Sequence, residues 1–242
     1  MKGEDIKKIY DTKVPEEYSG DYERTRWFGN SIQKKAYEMT RETILHVLPN
    51  ITFTRYLEVG PGPGTWTKLF INKNNSASYV LVDISKEMLT IAKKNLGEGK
   101  NISYINTDAV MFDGGKKYDL FFSSRALEYI DDKKTFISRI LGMLEKKGAG
   151  VIITKMPKYG RNRVLGRDIP PLHGGQIDPD DLANILKENG VRIVSILPVT
   201  FTFPFAGSPS INYFMFIMFG KRNLNSISRL FAESYCIFFK KI

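Results

Sequence analysis

Cysteine is nearly missing: Cys236 stands alone in 242 residues. No intramolecular disulfide can form, a disulfide scaffold is excluded, and the reducing cytoplasm is the expected home. Long apolar runs are missing too. The longest, Tyr213 to Phe219, is far short of the roughly 20 residues that a bilayer span needs. Met1 to Asp11 mixes lysines with acids around no apolar core, so a secretory signal is not expected. There is no internal repeat, no low-complexity tract and no expected metal site. What is present is core material and positive charge: 16 Phe, 12 Tyr and 2 Trp, 42% apolar residues, and 36 Lys+Arg against 26 Asp+Glu for a net +10. That much apolar surface excludes disorder for the bulk of the chain despite the charge. One domain over residues 1–242 is expected, with an N-terminal helical segment (1–50), a central core (55–197) and an insertion (199–234) before the last strand.

The pattern along the chain points to an α/β fold. Ile32, Ala36, Tyr37, Ile44, Val47 and Leu48 recur at helical spacing over Ser31 to Leu48, with Ser31 placed to cap the start and Pro49 to end it. Short apolar runs then alternate with helical ones. Arg55–Val59, Ser78–Val82, Ile102–Ile105, Tyr118–Phe122 and Gly150–Thr154 read as strands; Thr65–Ile71, Ser85–Leu96 and Lys133–Leu144 read as helices. Parallel strands need such crossovers, and strands buried on both faces read as continuous apolar runs. Met156 to Ile177, rich in glycine, proline and arginine, reads as a long irregular connection. Asp178–Asn189 reads as a helix and Val191–Leu197 as a sixth strand. Both Tyr213–Phe219 and Tyr235–Lys240 could supply the last strand. The second is preferred, which makes Val199–Ser234 an aromatic-rich insertion with two short helices.

Strand one runs into Glu58-Val59-Gly60-Pro61-Gly62-Pro63-Gly64. Glycines there let the backbone turn sharply and approach a ligand closely. Alone, such a loop is as readily a turn without a ligand. Asp83 ends strand two, where an acid can accept from both hydroxyls of a ribose. It could instead cap the next helix, but Ser85 already sits well for that task. Asp108 and Ala109 follow strand three, where a carboxylate and neighbouring amides can meet an adenine edge.

In combination, Glu58-x-Gly60-x-Gly62-x-Gly64, Asp83, Asp108-Ala109 and Tyr118-Asp119-Leu120-Phe121-Phe122-Ser123 resemble the class I S-adenosylmethionine-dependent methyltransferases over about Arg55 to Leu197. The resemblance implies a Rossmann-like, seven-stranded, mostly parallel sheet with helices on both faces, and S-adenosyl-L-methionine as methyl donor. It also implies roles. Glu58 would orient the glycine loop or reach the methionine ammonium, and Gly60, Gly62 and Gly64 would cradle the methionine part. Asp83 would hold the ribose, Ile84 and Met88 would pack near the adenine, and Asp108 would take its amine. Ser123 and Arg125 would line the pocket at the end of strand four. Segments preceding the glycine loop often fold over the cofactor in this family, and Arg24–Phe28 is the candidate here.

The acceptor is less legible. Enzymes acting on nucleobase amines often carry Asn/Asp-Pro-Pro-Tyr after strand four, where this chain has Ser123-Ser124-Arg125-Ala126-Leu127-Glu128-Tyr129, similar to the stretch in methyltransferases of small molecules, quinones and lipids. In-line transfer from a sulfonium leans on positioning. If the acceptor needs a base, His173 is the candidate, and organising its own loop is the alternative. Lys155, Lys158, Arg161, Arg163 and Arg167 form a basic cluster in the long connection, and the insertion sets Tyr213–Phe219 beside Lys221, Arg222 and Arg229. A small-molecule or lipid-like acceptor with apolar and anionic parts meets both features, and peripheral membrane contact accompanies it. An RNA methyltransferase is the alternative within enzymes, with nucleic acid the weaker partner. A noncatalytic nucleoside-binding or membrane-associated scaffold is the alternative outside them.

Overall fold

The computed structural model describes residues 3–13, 22–99, 101–115, 117–157, 175–203 and 208–242. Among the described residues the α-helices α1 (Gly3–Lys8), α2 (Tyr22–Phe28) and α3 (Ser31–Val47) come first, with a π-helical turn at Ile9–Lys13 after α1. The alternating part follows as β1 (Arg55–Val59), α4 (Thr67–Lys73), β2 (Ser78–Asp83), α5 (Lys86–Leu96) and β3 (Ile102–Asn106). It continues as β4 (Tyr118–Ser124), α6 (Lys133–Met143), β5 (Leu144–Lys155), α7 (Pro179–Glu188) and β6 (Val191–Pro198). Helices α8 (Pro209–Phe219) and α9 (Ser226–Phe231) lead to β7 (Ser234–Lys241).

The seven strands form one sheet in the order β3-β2-β1-β4-β5-β7-β6. Strands β1 to β5 pair in parallel, and β7 runs antiparallel between β5 and β6. Because β7 opposes both neighbours, β6 runs in the sense of the parallel strands. Its carboxyl end, and the insertion that follows it, therefore leave the sheet at the edge where β1 to β5 also end. The alternation along each strand sends side chains to opposite faces. On one face Leu57, Val59, Phe121 and Ile152 pack with Phe136, Ile137 and Ile140 of α6 and Leu182 and Leu186 of α7. On the other, Tyr56, Tyr79, Leu120, Phe122 and Val151 pack with Ile44 and Val47 of α3 and Phe70 of α4.

Two local expectations need correction. The α3 cap is Asn30, whose side chain accepts from the Gln33 amide while Asn30 itself is extended; Ser31 is already helical. Strand β5 begins at Leu144, directly after α6, not at Gly150. Its first half carries Glu145, Lys146 and Lys147, meets β4 only through Leu144 and Tyr118 before a register shift, and holds Lys147 at φ 65°. A polar, irregular half-strand of this kind has none of the apolar continuity by which strands are read. The ambiguous run Tyr213–Phe219 is helical, and the last strand is the Tyr235–Lys240 segment.

Candidate functional site

The loop after β1 is shaped by glycine. Gly60, Gly62 and Gly64 all have positive φ, at 70°, 53° and 82°. Two of them show what the conformation serves. A Cβ on Gly60 would lie 2.5 Å from the Ala126 methyl, so glycine lets β1 close on the turn after β4. A Cβ on Gly62 would meet no atom within 4 Å. There the chain has left room above the backbone, as a loop must if something else is to approach it.

The loop is tied down from below. The Gly60 amide donates to the Val82 carbonyl at 2.8 Å, and the Gly62 amide donates to Oδ2 of Asp83 at 3.3 Å. The other oxygen of Asp83 accepts from the Ser85 amide at 3.0 Å, and Ser85 caps α5 by accepting from the Met88 amide at 3.1 Å. One carboxylate thus joins the end of β2, the glycine loop and the start of α5. Burial, opposed by the amide donors and assisted by nearby Asp11, lifts the Asp83 pKa to about 6.

Glu58 lies wholly buried beneath the loop. Its Oε2 accepts from the Tyr56 hydroxyl at 2.8 Å and from the Thr67 hydroxyl at 2.7 Å. Its Oε1 has no partner among the described residues, nor does the buried Thr65 hydroxyl a turn further on. Burial raises the Glu58 pKa to about 7 against the pull of those two hydroxyls. Unmet buried polar atoms beside an open glycine corner suit a polar ligand.

The remaining strand ends complete the edge. Ile84 is half-buried and Met88 buried at the start of α5. After β3, one oxygen of Asp108 accepts from the Val110 amide at 2.9 Å, and Ala109 packs partly into the core. After β4, the Ser123 hydroxyl is occupied by the Val59 carbonyl at 3.0 Å. Arg125 sits at φ 65° in a left-handed conformation costly for a non-glycine residue. Its Nε donates to Oε1 of buried Glu128 at 2.6 Å, and the same oxygen accepts from the Lys155 amide at 3.0 Å. Glu128 therefore clamps the ends of β4 and β5 together and holds the arginine at the site edge.

Some residues of this corner escaped the sequence reading. The π-helical turn Ile9–Lys13 crosses the start of α5. Asp11 accepts from the Ser85 hydroxyl at 2.6 Å and the Glu87 amide at 3.3 Å, and the Tyr10 hydroxyl donates to that of Tyr129 at 3.1 Å. The segment covering the corner is therefore Tyr10–Asp11. From the expected stretch Arg24–Phe28, Trp27 joins an aromatic cluster with Tyr37 and Trp66, and Arg26 stacks over its ring at 4.6 Å. Lys155 pairs with Glu233 at 3.2 Å. His173 and the basic residues Lys158, Arg161, Arg163 and Arg167 lie outside the described residues. Among the described residues no group of His, Cys, Asp and Glu is arranged to hold a metal.

Residues 57–148 match the family described as a methyltransferase domain. Malonyl-[acyl-carrier protein] O-methyltransferase 1 of Ilyobacter polytropus is 33% identical over 92 residues, covering 38% of this chain and 34% of that protein. Trans-aconitate 2-methyltransferase of an Azoarcus species is 27% identical over 134 residues, covering 54% and 51%. The matches thus span about a third to a half of these curated relatives. The crystal structure of the N-methyltransferase NodS from Bradyrhizobium japonicum with S-adenosyl-L-homocysteine superposes with TM-score 0.63 at 16% identity, covering 96% of this chain and 98% of that one. At that identity the likeness speaks for the fold.

Proposed function

We propose that this chain, which belongs to the class I S-adenosylmethionine-dependent methyltransferases, transfers the methyl group to a small-molecule acceptor with an apolar body and an anionic group. The observation that carries the cofactor half of this reading is the Gly62 corner: an open glycine backbone anchored to Asp83, beside the unmet Oε1 of Glu58. S-Adenosylmethionine fits these residues. Gly62 would admit it against the backbone, Asp83 would accept from its ribose hydroxyls, and Asp108, with one oxygen unused among the described residues, would accept from its adenine amine. Ile84 and Met88 would pack against the ring. When bound, the cofactor supplies an electrophilic methyl on a sulfonium with a good leaving group.

The chain's own contribution is orientation. Tyr10 and Tyr129, joined by a hydrogen bond and an edge-on ring contact, would shield the strand ends from water, and burial pushes both hydroxyls above their ordinary range, so they stay protonated. Arg125, held through Nε by Glu128, would offer its outer nitrogens to an anionic group on the acceptor. The apolar part of the acceptor would meet the aromatic insertion that leaves the sheet at the same edge. His173 is proposed as a base only for an acceptor that must lose a proton.

Titration calorimetry with S-adenosylmethionine and S-adenosylhomocysteine, followed by transfer of labelled methyl from the cofactor to lysate fractions, tests the proposal. Micromolar or tighter binding and label in the organic-extractable fraction are expected. Label confined to nuclease-sensitive material would move the acceptor to RNA, and absence of binding to either ligand would overturn the proposal.

A further inference from the structure

Helix α8 is apolar on every side, yet only part of it is covered. Its Asn212, Tyr213 and Phe216 face inward. Asn212 accepts from the Phe203 amide at 2.8 Å, Phe216 is 1% exposed, and Tyr213 hydrogen-bonds Glu42 of α3 beneath the Lys35 ammonium. Its outer side places Ile211, Phe214, Ile217 and Met218 in water, with Phe214 59% and Ile217 64% exposed. Helix α9 adds Ile227 and Leu230, both more than half exposed. Single exposed apolar residues are ordinary, but six large ones on two consecutive short helices mark a surface that is covered in use.

The charge around this surface selects what covers it. No Asp or Glu occurs between Glu188 and Glu233. Lys221 and Arg222 follow the Gly220 that ends α8, both exposed; Lys221 reaches Glu42 at 3.8 Å, and Arg222 has no side-chain partner among the described residues. Arg229 is occupied, 2.6 Å from Asp180. A symmetric second copy would bring the Lys221–Arg222 pairs of both chains to one interface with no acid from this segment to meet them. An anionic bilayer meets both features, because apolar burial and attraction of basic residues add at its interface. With 11 residues, α8 is about 16 Å long, enough to lie in the interface and too short to cross it. Among the described residues no helix is long and apolar enough to cross a membrane.

We infer that the outer face of α8 and α9 is a docking surface for an anionic lipid bilayer. That face belongs to the insertion between β6 and β7, whose chain after α8 returns along β6 through the Leu224 amide and the Ile196 carbonyl. The inference stands on exposure and charge and does not depend on methyl transfer.

Flotation of the full chain with vesicles of phosphatidylcholine, alone or doped with phosphatidylglycerol, tests it. Binding to the anionic vesicles is expected, and it should fall when salt approaches about 1 M, where screening shortens to about 3 Å. Phe214→Ser with Ile217→Ser should lower partitioning at least about tenfold, and Arg222→Gln about fivefold on anionic vesicles only. Unchanged circular-dichroism melts of both variants would place the loss at the surface. Wild type that stays unbound, or variants that float like wild type, would overturn the inference. So would a concentration-dependent dimer in sedimentation that the double variant abolishes without any vesicle binding. Calorimetry with S-adenosylmethionine on the same samples separates these outcomes from failure of the transfer reading.

Discussion

At the Gly62 corner, polar groups are buried or half-buried and most are answered, Asp83 by two amides, Glu58 by two hydroxyls and Asp11 by a hydroxyl and an amide, while Oε1 of Glu58 and the Thr65 hydroxyl are left unmet among the described residues. At α8 and α9 the opposite holds, since large apolar side chains face solvent while Lys221 and Arg229 beside them pair with Glu42 and Asp180. Both regions lie on loops leaving the same edge of the sheet, so position in the fold does not explain the contrast. What differs is the partner each is built to meet. A polar ligand needs preorganised donors and acceptors around a small opening, whereas an interface needs area and charge. Each region contains the kind of residue that would be costly if its partner never came.

Breaking the first region should have the larger effect. In Gly62→Val a branched side chain would enter the space left above the loop, at a φ of 53° that costs a non-glycine residue about 1–2 kcal/mol. Because nothing within 4 Å is struck, the variant should remain folded while calorimetry shows S-adenosylmethionine affinity reduced at least about 100-fold. Binding within tenfold of wild type would show that the ligand does not approach the Gly62 backbone.

The contrast also explains what the sequence revealed and what it hid. Strands buried on both faces, such as β1 and β4, announce themselves by short apolar runs such as Tyr56-Leu57 and Leu120-Phe121-Phe122, and the glycine loop, Asp83 and Asp108 could be found by their distance from strand ends. Capping of α5 by Ser85 and its stop at Gly97 were legible for the same local reason. Partners reached across the fold were not. Nothing in the charged stretch around Tyr10 and Asp11 indicates that it meets Ser85 or Tyr129, contacts separated by 74 and 119 positions. Nor does the pattern of Tyr213–Phe219 say whether the run is strand or helix. Pro209 in its first turn and Gly220 after it suit a helix, but only packing against α3 decides which side is buried.

The pH dependence of the corner should carry two opposite signs. Glu58 and Asp83 have folded pKa values raised to about 7 and about 6, so the folded chain holds protons that the unfolded chain has lost. The stability they contribute is full below about pH 4 and is lost as pH rises through 6 to 7. The melting temperature of the ligand-free chain should therefore fall between pH 5 and pH 8, and Glu58→Gln should flatten the upper part of that fall. Cofactor affinity should move the other way. Accepting from ribose hydroxyls favours ionised Asp83, so affinity should weaken about tenfold between pH 7 and pH 5, and Asp83→Asn should remove most of that slope. A cofactor affinity independent of pH across this window would dissociate Asp83 from the ribose.

The smallest expected effect is the most discriminating for the second region, because it compares two phenylalanines two positions apart on α8. Phe216 is 1% exposed, in the core cluster with the Tyr213 ring stacked against it at 6.0 Å, whereas Phe214 is 59% exposed. Phe216→Ala should cost about 3–5 kcal/mol of folding stability, through lost transfer energy and the cavity left behind. Phe214→Ser should change it by no more than about 0.5 kcal/mol, since most of that side chain is in water before as well as after unfolding. Chemical denaturation of both variants measures the pair. A cost for Phe214→Ser approaching that of Phe216→Ala would mean that α8 is covered on its outer side by the chain itself, and the exposed face would then have no surface to offer a bilayer.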